Sequence, residues 1–102
     1  MKIRHTVTFT FYDTATRQEK AELIKHLNDM GEYCQNELGV TDWVVAEHIP
    51  ETFKDKRAHL LQDGILPSGD LLMRHRVSEA HQKVLELAPK ISDWMAIDTA
   101  VE

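Results

Sequence analysis

From Ile3 to Phe11 the chain alternates without a slip. Ile3, His5, Val7, Phe9 and Phe11 fall on one side, and Arg4, Thr6, Thr8 and Thr10 on the other. Threonines and aromatics in strict alternation predict a β-strand with one buried face. Such a strand needs a sheet covered on one side, which points to a two-layer arrangement. The neighbouring segment supplies the cover. After a break over Asp13 to Ala15, Thr16 and Glu19 stand at capping-box spacing. Leu23, Leu27, Met30, Cys34 and Leu38 then recur every three or four residues, the apolar stripe of a long amphipathic helix. Gly39 stands where a helix of this kind ends.

Val40 to Ile49 reads as a second strand, apolar on both faces through Trp43, Val44, Val45 and Ala46 and ended by Pro50. Glu51 to Arg57 is charged and suits a connection. Asp70 to Val77 has two readings. The alternation of Leu71, Met73, His75 and Val77 fits a strand, whereas its residue types are better helix formers. A strand there would leave a loop of about 19 residues before it, long for a compact domain. The preferred assignment is therefore a third strand over Ala58 to Leu66 and a short helix over Gly69 to Val77, with Ser68 as its cap. Ser78 caps a further helical segment through Leu87, lined by Val84, Leu85 and Ala88. Pro89 is expected to kink or restart it, with Ile91 and Trp94 continuing the packing, and Met95 to Val101 is the last strand. The order β-α-β-β-α-β predicts a ferredoxin-like α+β fold with helices on one face only. The other sheet face then needs a partner, and a homodimer pairing the two open faces would cover it.

The chain has 102 residues, the size of one domain of roughly 100 to 150, so residues 1–102 are read as a single domain. Its formal charge is −5, a poor match to nucleic acid or to an anionic membrane surface. No apolar run approaches the roughly 20 residues of a membrane span, and the opening residues lack a signal-peptide core. With Cys34 the one cysteine, no intrachain disulfide can form, and a cytoplasmic setting is the simplest expectation.

Six histidines are the compositional oddity. His5 shares the covered face of the first strand, His75 a helical face with Leu71 and Leu72, and His81 one with Val84, Leu85 and Ala88. Each alone also reads as a packed core histidine bonded to a backbone carbonyl. Three on apolar faces need several partners, and a pocket is one way to supply them. On one continuous helix His75 and His81, six apart, would differ by about 240°; a break at Val77–Ser78 removes that objection. The expected pocket thus has His5, His75 and His81 as its polar groups and Val7, Phe9 and Leu27 as apolar wall, while His59 stands in the third strand on a face that the pattern leaves open. His48 reads as a rim residue and His26 as solvated. No metal site is expected: no two histidines stand four apart, H-E-x-x-H is absent, and Cys34 belongs to the helix stripe, where a thiol stays protonated. No Gly-rich phosphate loop is present.

Ile3-Arg4-His5 with its alternation, Ala80-His81 followed by Val84, Leu85, Glu86, Leu87 and Pro89, and a closing strand with Asp98 resemble the stress-responsive dimeric α+β barrel (Dabb) family. The resemblance implies a homodimeric barrel. Through the family's plant olivetolic acid cyclase, it also implies cofactor-free aldol cyclisation of a carbonyl compound. The cyclase's acid/base tyrosine and histidine fall on His75 and His81, its first-strand histidine on His5, and a third-strand histidine close to His59, so the resemblance implies His59 as a further ligand-binding candidate. The sequence departs from the family where Ser78 and Glu79 replace histidine and proline of the H-P-x-H motif, and where His75 replaces the tyrosine. Three readings are open: a cyclase or isomerase acting on a small apolar carbonyl compound, a non-catalytic stress protein or ligand carrier, and a haem or quinone monooxygenase with His81 or His75 as axial ligand or base.

Overall fold

The computed structural model describes residues 1–49 and 58–101. The expected connection Glu51 to Arg57, and Pro50 as strand end, lie outside the described residues. The alternating segment forms β1 (Lys2–Phe11). The amphipathic stretch forms α1 (Arg17–Leu38). Thr16 and Glu19 make the reciprocal capping box: the Glu19 N–H donates to Thr16 Oγ1 at 3.1 Å and the Thr16 N–H to Glu19 Oε1 at 2.9 Å. At the other end Gly39 has φ of 68°, and the Val40 N–H closes the turn onto the Cys34 carbonyl.

β2 (Thr41–Glu47) and β3 (Leu60–Leu66) come next, then α2 (Asp70–Arg76), α3 (Glu79–Ile91) and β4 (Ser92–Val101). All four strands form one antiparallel sheet in the order β2-β3-β1-β4. This is the ferredoxin-like arrangement expected from the element order. Asp70 to Arg76 is a helix, as its residue types indicated.

Several boundaries differ from expectation: β2 is Thr41–Glu47 rather than Val40–Ile49, β3 begins at Leu60 rather than Ala58, and larger departures lie around α2 and α3. Ser68 makes no side-chain cap on α2, whose N-cap is Gly69; its carbonyl instead accepts from the Leu71 N–H. Pro89 neither ends nor restarts α3, which runs on to Ile91. It sits in the last turn, where Ser92 closes the helix by donating from both N–H and Oγ to the Ala88 carbonyl. β4 therefore starts at Ser92 instead of Met95, and Trp94 is a strand residue rather than a helical one.

The core lies between the sheet and the helices. Leu23, Leu27, Met30, Cys34 and Leu38 of α1 meet Val7 and Phe9 of β1, Leu60 and Leu66 of β3, and Val84, Ala88 and Ile91 of α3. Each large apolar side chain buried this way contributes about 1.5–3 kcal/mol. α1 approaches β2 closely because Gly31 has no side chain: a Cβ there would run into the Trp43 indole. Gly31→Ala is expected to lower stability by about 1–3 kcal/mol despite alanine's better helix propensity, because overpacking outweighs it. Urea unfolding midpoints check this, and an unchanged or raised midpoint would contradict the packing argument.

The opposite sheet face carries no helix. At its centre Arg4 Nη1 pairs with Asp63 Oδ2 at 2.6 Å, and Thr6 Oγ1 donates to Asp63 Oδ1 at 2.8 Å. Val44, Met95 and Ile97 lie exposed on the same face. Among the described residues, no helix is long and apolar enough to cross a membrane.

Candidate functional site

Strand register arranges the covered face in rows. Asp98, His5 and Gly64 stand side by side on β4, β1 and β3. The next row is Ala96, Val7 and Gln62, and the third is Trp94, Phe9 and Leu60. Above the first row lies the junction between α2 and α3. The break expected at Val77–Ser78 is there, and Ser78 is its pivot. Its hydroxyl donates to the His75 carbonyl at 2.7 Å and accepts from the His81 N–H at 3.2 Å. The turn brings the His75 and His81 rings to 4.7 Å edge-on, with the His5 ring 5.7 Å from His75.

These three imidazoles line one cavity of about 320 Å³. Val7, Phe9 and Ala96 of the sheet, Leu27 and Met30 of α1, and Val84, Leu85 and Ala88 of α3 form its apolar wall, together with Trp94. Gln62 and Arg76 add polar groups. A small-ligand site has this form: apolar walls with a few convergent polar groups.

Each imidazole is held differently. His5 Nδ1 lies 2.5 Å from Asp98 Oδ1. A carboxylate only accepts, so Nδ1 carries the proton and Nε2 is left for a ligand. The second Asp98 oxygen is 3.8 Å from Arg76 Nη2. His81 Nδ1 lies 3.1 Å from the Arg76 carbonyl, so it too donates from Nδ1 and leaves the Nε2 lone pair unshared. Burial lowers the His81 pKa below 6.5, only partly opposed by that carbonyl.

His75 is the buried member, 2% exposed, with Nδ1 3.2 Å from Cys34 Sγ. Burial, reinforced by His81, His5 and Arg76, pulls its pKa down to about 3, so the ring is neutral at physiological pH. Burial likewise pushes the Cys34 thiol up to about 12. Cys34 and His75 thus meet as neutral groups, and a thiolate nucleophile is not available there.

Of the residues singled out from sequence, the structure brings together His5, His75, His81, Val7, Phe9 and Leu27. His59 lies elsewhere. It stacks on Phe11 at 5.8 Å, and its Nδ1 accepts from the Phe11 N–H at the far end of β1 from His5. His26 is half-buried rather than solvated, its Nε2 3.5 Å from Glu22 Oε1. The N–H of His48, just after β2, donates to the His59 carbonyl. Sequence reasoning missed Gln62, Arg76 and Trp94 as cavity residues and Asp98 as the partner of His5. Gln62 carried a signal: the one polar side chain among Leu60, Gln62, Gly64 and Leu66, the alternate positions of the strand that share its face. Among the described residues, no group of three or more His, Cys, Asp or Glu is arranged to hold a metal ion.

No protein-family model and no curated protein matches the sequence. Solved structures do match in fold. A dimeric ferredoxin-like protein of unknown function from Thermobifida fusca is 19% identical, with a TM-score of 0.82 over 99% of this chain and 92% of that one. A Dabb family protein with a ferredoxin-like fold from Mesorhizobium loti is 18% identical, with a TM-score of 0.69 over 99% and 97%. SnoaB, a cofactor-independent oxygenase from Streptomyces nogalater, is 10% identical, with a TM-score of 0.71 over 99% and 93%. With the sheet order β2-β3-β1-β4, these likenesses establish the ferredoxin-like fold of the chain.

Proposed function

We propose that this chain is a Dabb-like homodimer whose cavity binds a small apolar carbonyl compound and moves protons on it without a cofactor, in aldol or isomerisation chemistry. The observation that carries the reading is the convergence of His5, His75 and His81 on one apolar-walled cavity, with Asp98 behind His5. His81 Nε2 takes a proton from the carbon next to the substrate carbonyl. The electron pair moves onto the carbonyl oxygen, which accepts the Nε2–H of a doubly protonated His5 whose Nδ1–H stays on Asp98. Asp98 offsets the charge that His5 carries while protonated. Reprotonation at carbon, or attack of that carbon on a second carbonyl, closes the cycle with protons balanced. Neutral His75 packs between the two without competing for the proton. In deuterium oxide, the protein is expected to speed deuterium uptake at the methyl group of aryl methyl ketones or the central carbon of β-diketones, followed by NMR. Exchange no faster than in buffer for the whole set would refute the acid/base reading.

The homodimer rests on the open sheet face. Met95, Ile97 and Val44, exposed by 75, 60 and 41%, surround the Arg4–Asp63 pair. Exposed apolar side chains flanking a central polar pair on a sheet face without helical cover fit face-to-face pairing with a second copy. The Thermobifida fusca protein of the same fold is described as dimeric. Light scattering at micromolar concentration is expected to give twice the chain mass, and a stable monomer would refute the pairing.

A second reading, a cofactor-independent oxygenase, has the fold likeness to SnoaB in its favour. The same His81 base would then activate the substrate toward oxygen. Oxygen uptake with an enolisable substrate separates the two, since proton-transfer chemistry consumes none.

A further inference from the structure

Among the described residues, the buried side-chain polar atoms without a partner are Trp43 Nε1, His75 Nε2 and both amide atoms of Gln62. Gln62 is the extreme case. It is 1% exposed, yet neither its donor nor its acceptor is paired. Buried polar groups are ordinarily satisfied, and a buried amide left unpaired lowers stability. Its neighbours on the covered face, Leu60, Val7, Val45 and Gly64, offer a setting in which an apolar residue would pack without that penalty. Destabilising groups of this kind persist at sites where function requires them. Gln62 also lines the cavity.

We infer that Gln62 reads the ligand by pairing both amide atoms with an uncharged group that donates and accepts, such as a hydroxyl or a carboxamide. This inference rests on the proposed function and adds to it a second recognition point. The group is uncharged because Gln62's own row, Ala96 and Val7, carries no cation, and Arg76, on the cavity wall over the neighbouring row, already faces the Asp98 carboxylate. A carboxylate beside Gln62 would be desolvated without a counter-charge. Gln62 and His5 stand diagonally on neighbouring rows, about 7–8 Å apart for such a pair. The ligand class is therefore a compact apolar carbonyl compound with a hydroxyl or carboxamide roughly one aromatic ring away from the carbonyl.

The test uses three probes: 3- or 4-hydroxyacetophenone, whichever binds tighter, 4-methylacetophenone as its apolar counterpart, and 4-acetylbenzoate as the charged one. Calorimetry on the wild-type protein is expected to favour the hydroxyl compound over the methyl compound by about tenfold, with the carboxylate weakest. In Gln62→Met the preference for the hydroxyl disappears while the methyl compound binds at least as well. The melting temperature of ligand-free Gln62→Met is expected to rise, because the unpaired amide is gone. An unchanged hydroxyl preference in Gln62→Met would overturn the inference. So would a fall in melting temperature, which would show the amide to be satisfied within the protein, for instance by water in the void of about 10 Å³ that Gln62 shares with Trp43 and His75. If wild type and Gln62→Met both bind none of the probes, the cavity's role in the proposed function falls, and this inference with it. Binding of all probes with no dependence on Gln62 overturns this inference alone.

Discussion

Between pH 6.5 and pH 3 this protein is expected to lose stability steeply, and His75 is the main cause. Its ring is buried against Cys34 and faces three further positive or ionisable groups, His81, His5 and Arg76; Asp98 alone opposes them. In the folded state its pKa is about 3, against 6.5 for the free side chain. A lowered histidine pKa means that the native state binds fewer protons than the unfolded one between those values. Stability from the neutral ring is therefore complete above pH 6.5 and is lost as pH falls toward 3. Over that window the loss amounts to a few kcal/mol, on the order of one per pH unit. That is a large part of the 5–15 kcal/mol typical of a domain. Glu19 and Asp29, whose pKa values are lowered by Thr16 and Lys25 respectively, also lose their contacts in acid. They contribute equally to wild type and to a His75 variant, so they cancel in a comparison. Urea unfolding at several pH values is expected to give a shallower acid slope for His75→Leu than for wild type, by up to one proton. Parallel slopes would show that His75 accepts a proton in the native state without penalty.

Much of the fold was legible because local signals were unusually consistent. β1 announced itself by alternation, α1 by its capping box and by Gly39, and the α2–α3 break by Ser78. That break mattered most for the site: it turned two histidines six residues apart into neighbours 4.7 Å apart. What was illegible depended on strand register. That Asp98 would stand beside His5 comes from the β1–β4 pairing, a contact 93 residues apart in sequence that no local pattern encodes. The same pairing puts Trp94 beside Phe9 as cavity wall once Pro89 is tolerated in the last turn of α3. His59 was assigned to the pocket through the family resemblance, but it precedes β3 and is fixed to the end of β1, its N–H donating to the Phe9 carbonyl and its ring accepting from the Phe11 N–H. Gln62 has low strand propensity, and although alternation places it with Leu60 and Leu66, its position beside Val7 and Val45 on the covered face follows from the register.

His81→Ala is expected to lower proton-transfer turnover by about 10² to 10⁴ while leaving the fold nearly intact. The two halves of this expectation have separate physical grounds. The rate loss comes from the Nε2 lone pair, which the Arg76 carbonyl frees by engaging Nδ1 and which no other group in the proposed cycle duplicates: His5, beside the Asp98 carboxylate, serves as the proton donor to the carbonyl oxygen, and His75 is packed against Cys34. The fold survives because what caps α3 is the His81 backbone N–H on Ser78 Oγ, which alanine keeps. The Arg76 carbonyl also retains the Gln82 Nε2 donor at 3.4 Å. Removing a partly buried imidazole from beside His75 takes away one of the groups that disfavour charge there. The wild-type pH profile supplies an independent check. Burial lowers the His81 pKa, so the base form persists below pH 6.5, and the acid limb of kcat/KM is expected on the acidic side of that value. Deuterium exchange and melting curves, run together on wild type and His81→Ala, decide the matter. An unchanged exchange rate would remove His81 from the mechanism. If His81→Ala instead collapses the melting temperature with loss of all exchange, His81→Gln, which keeps bulk and a hydrogen bond to Arg76 but cannot act as a base at neutral pH, is expected to restore the fold without turnover; turnover returning with the fold would make His81 a structural residue.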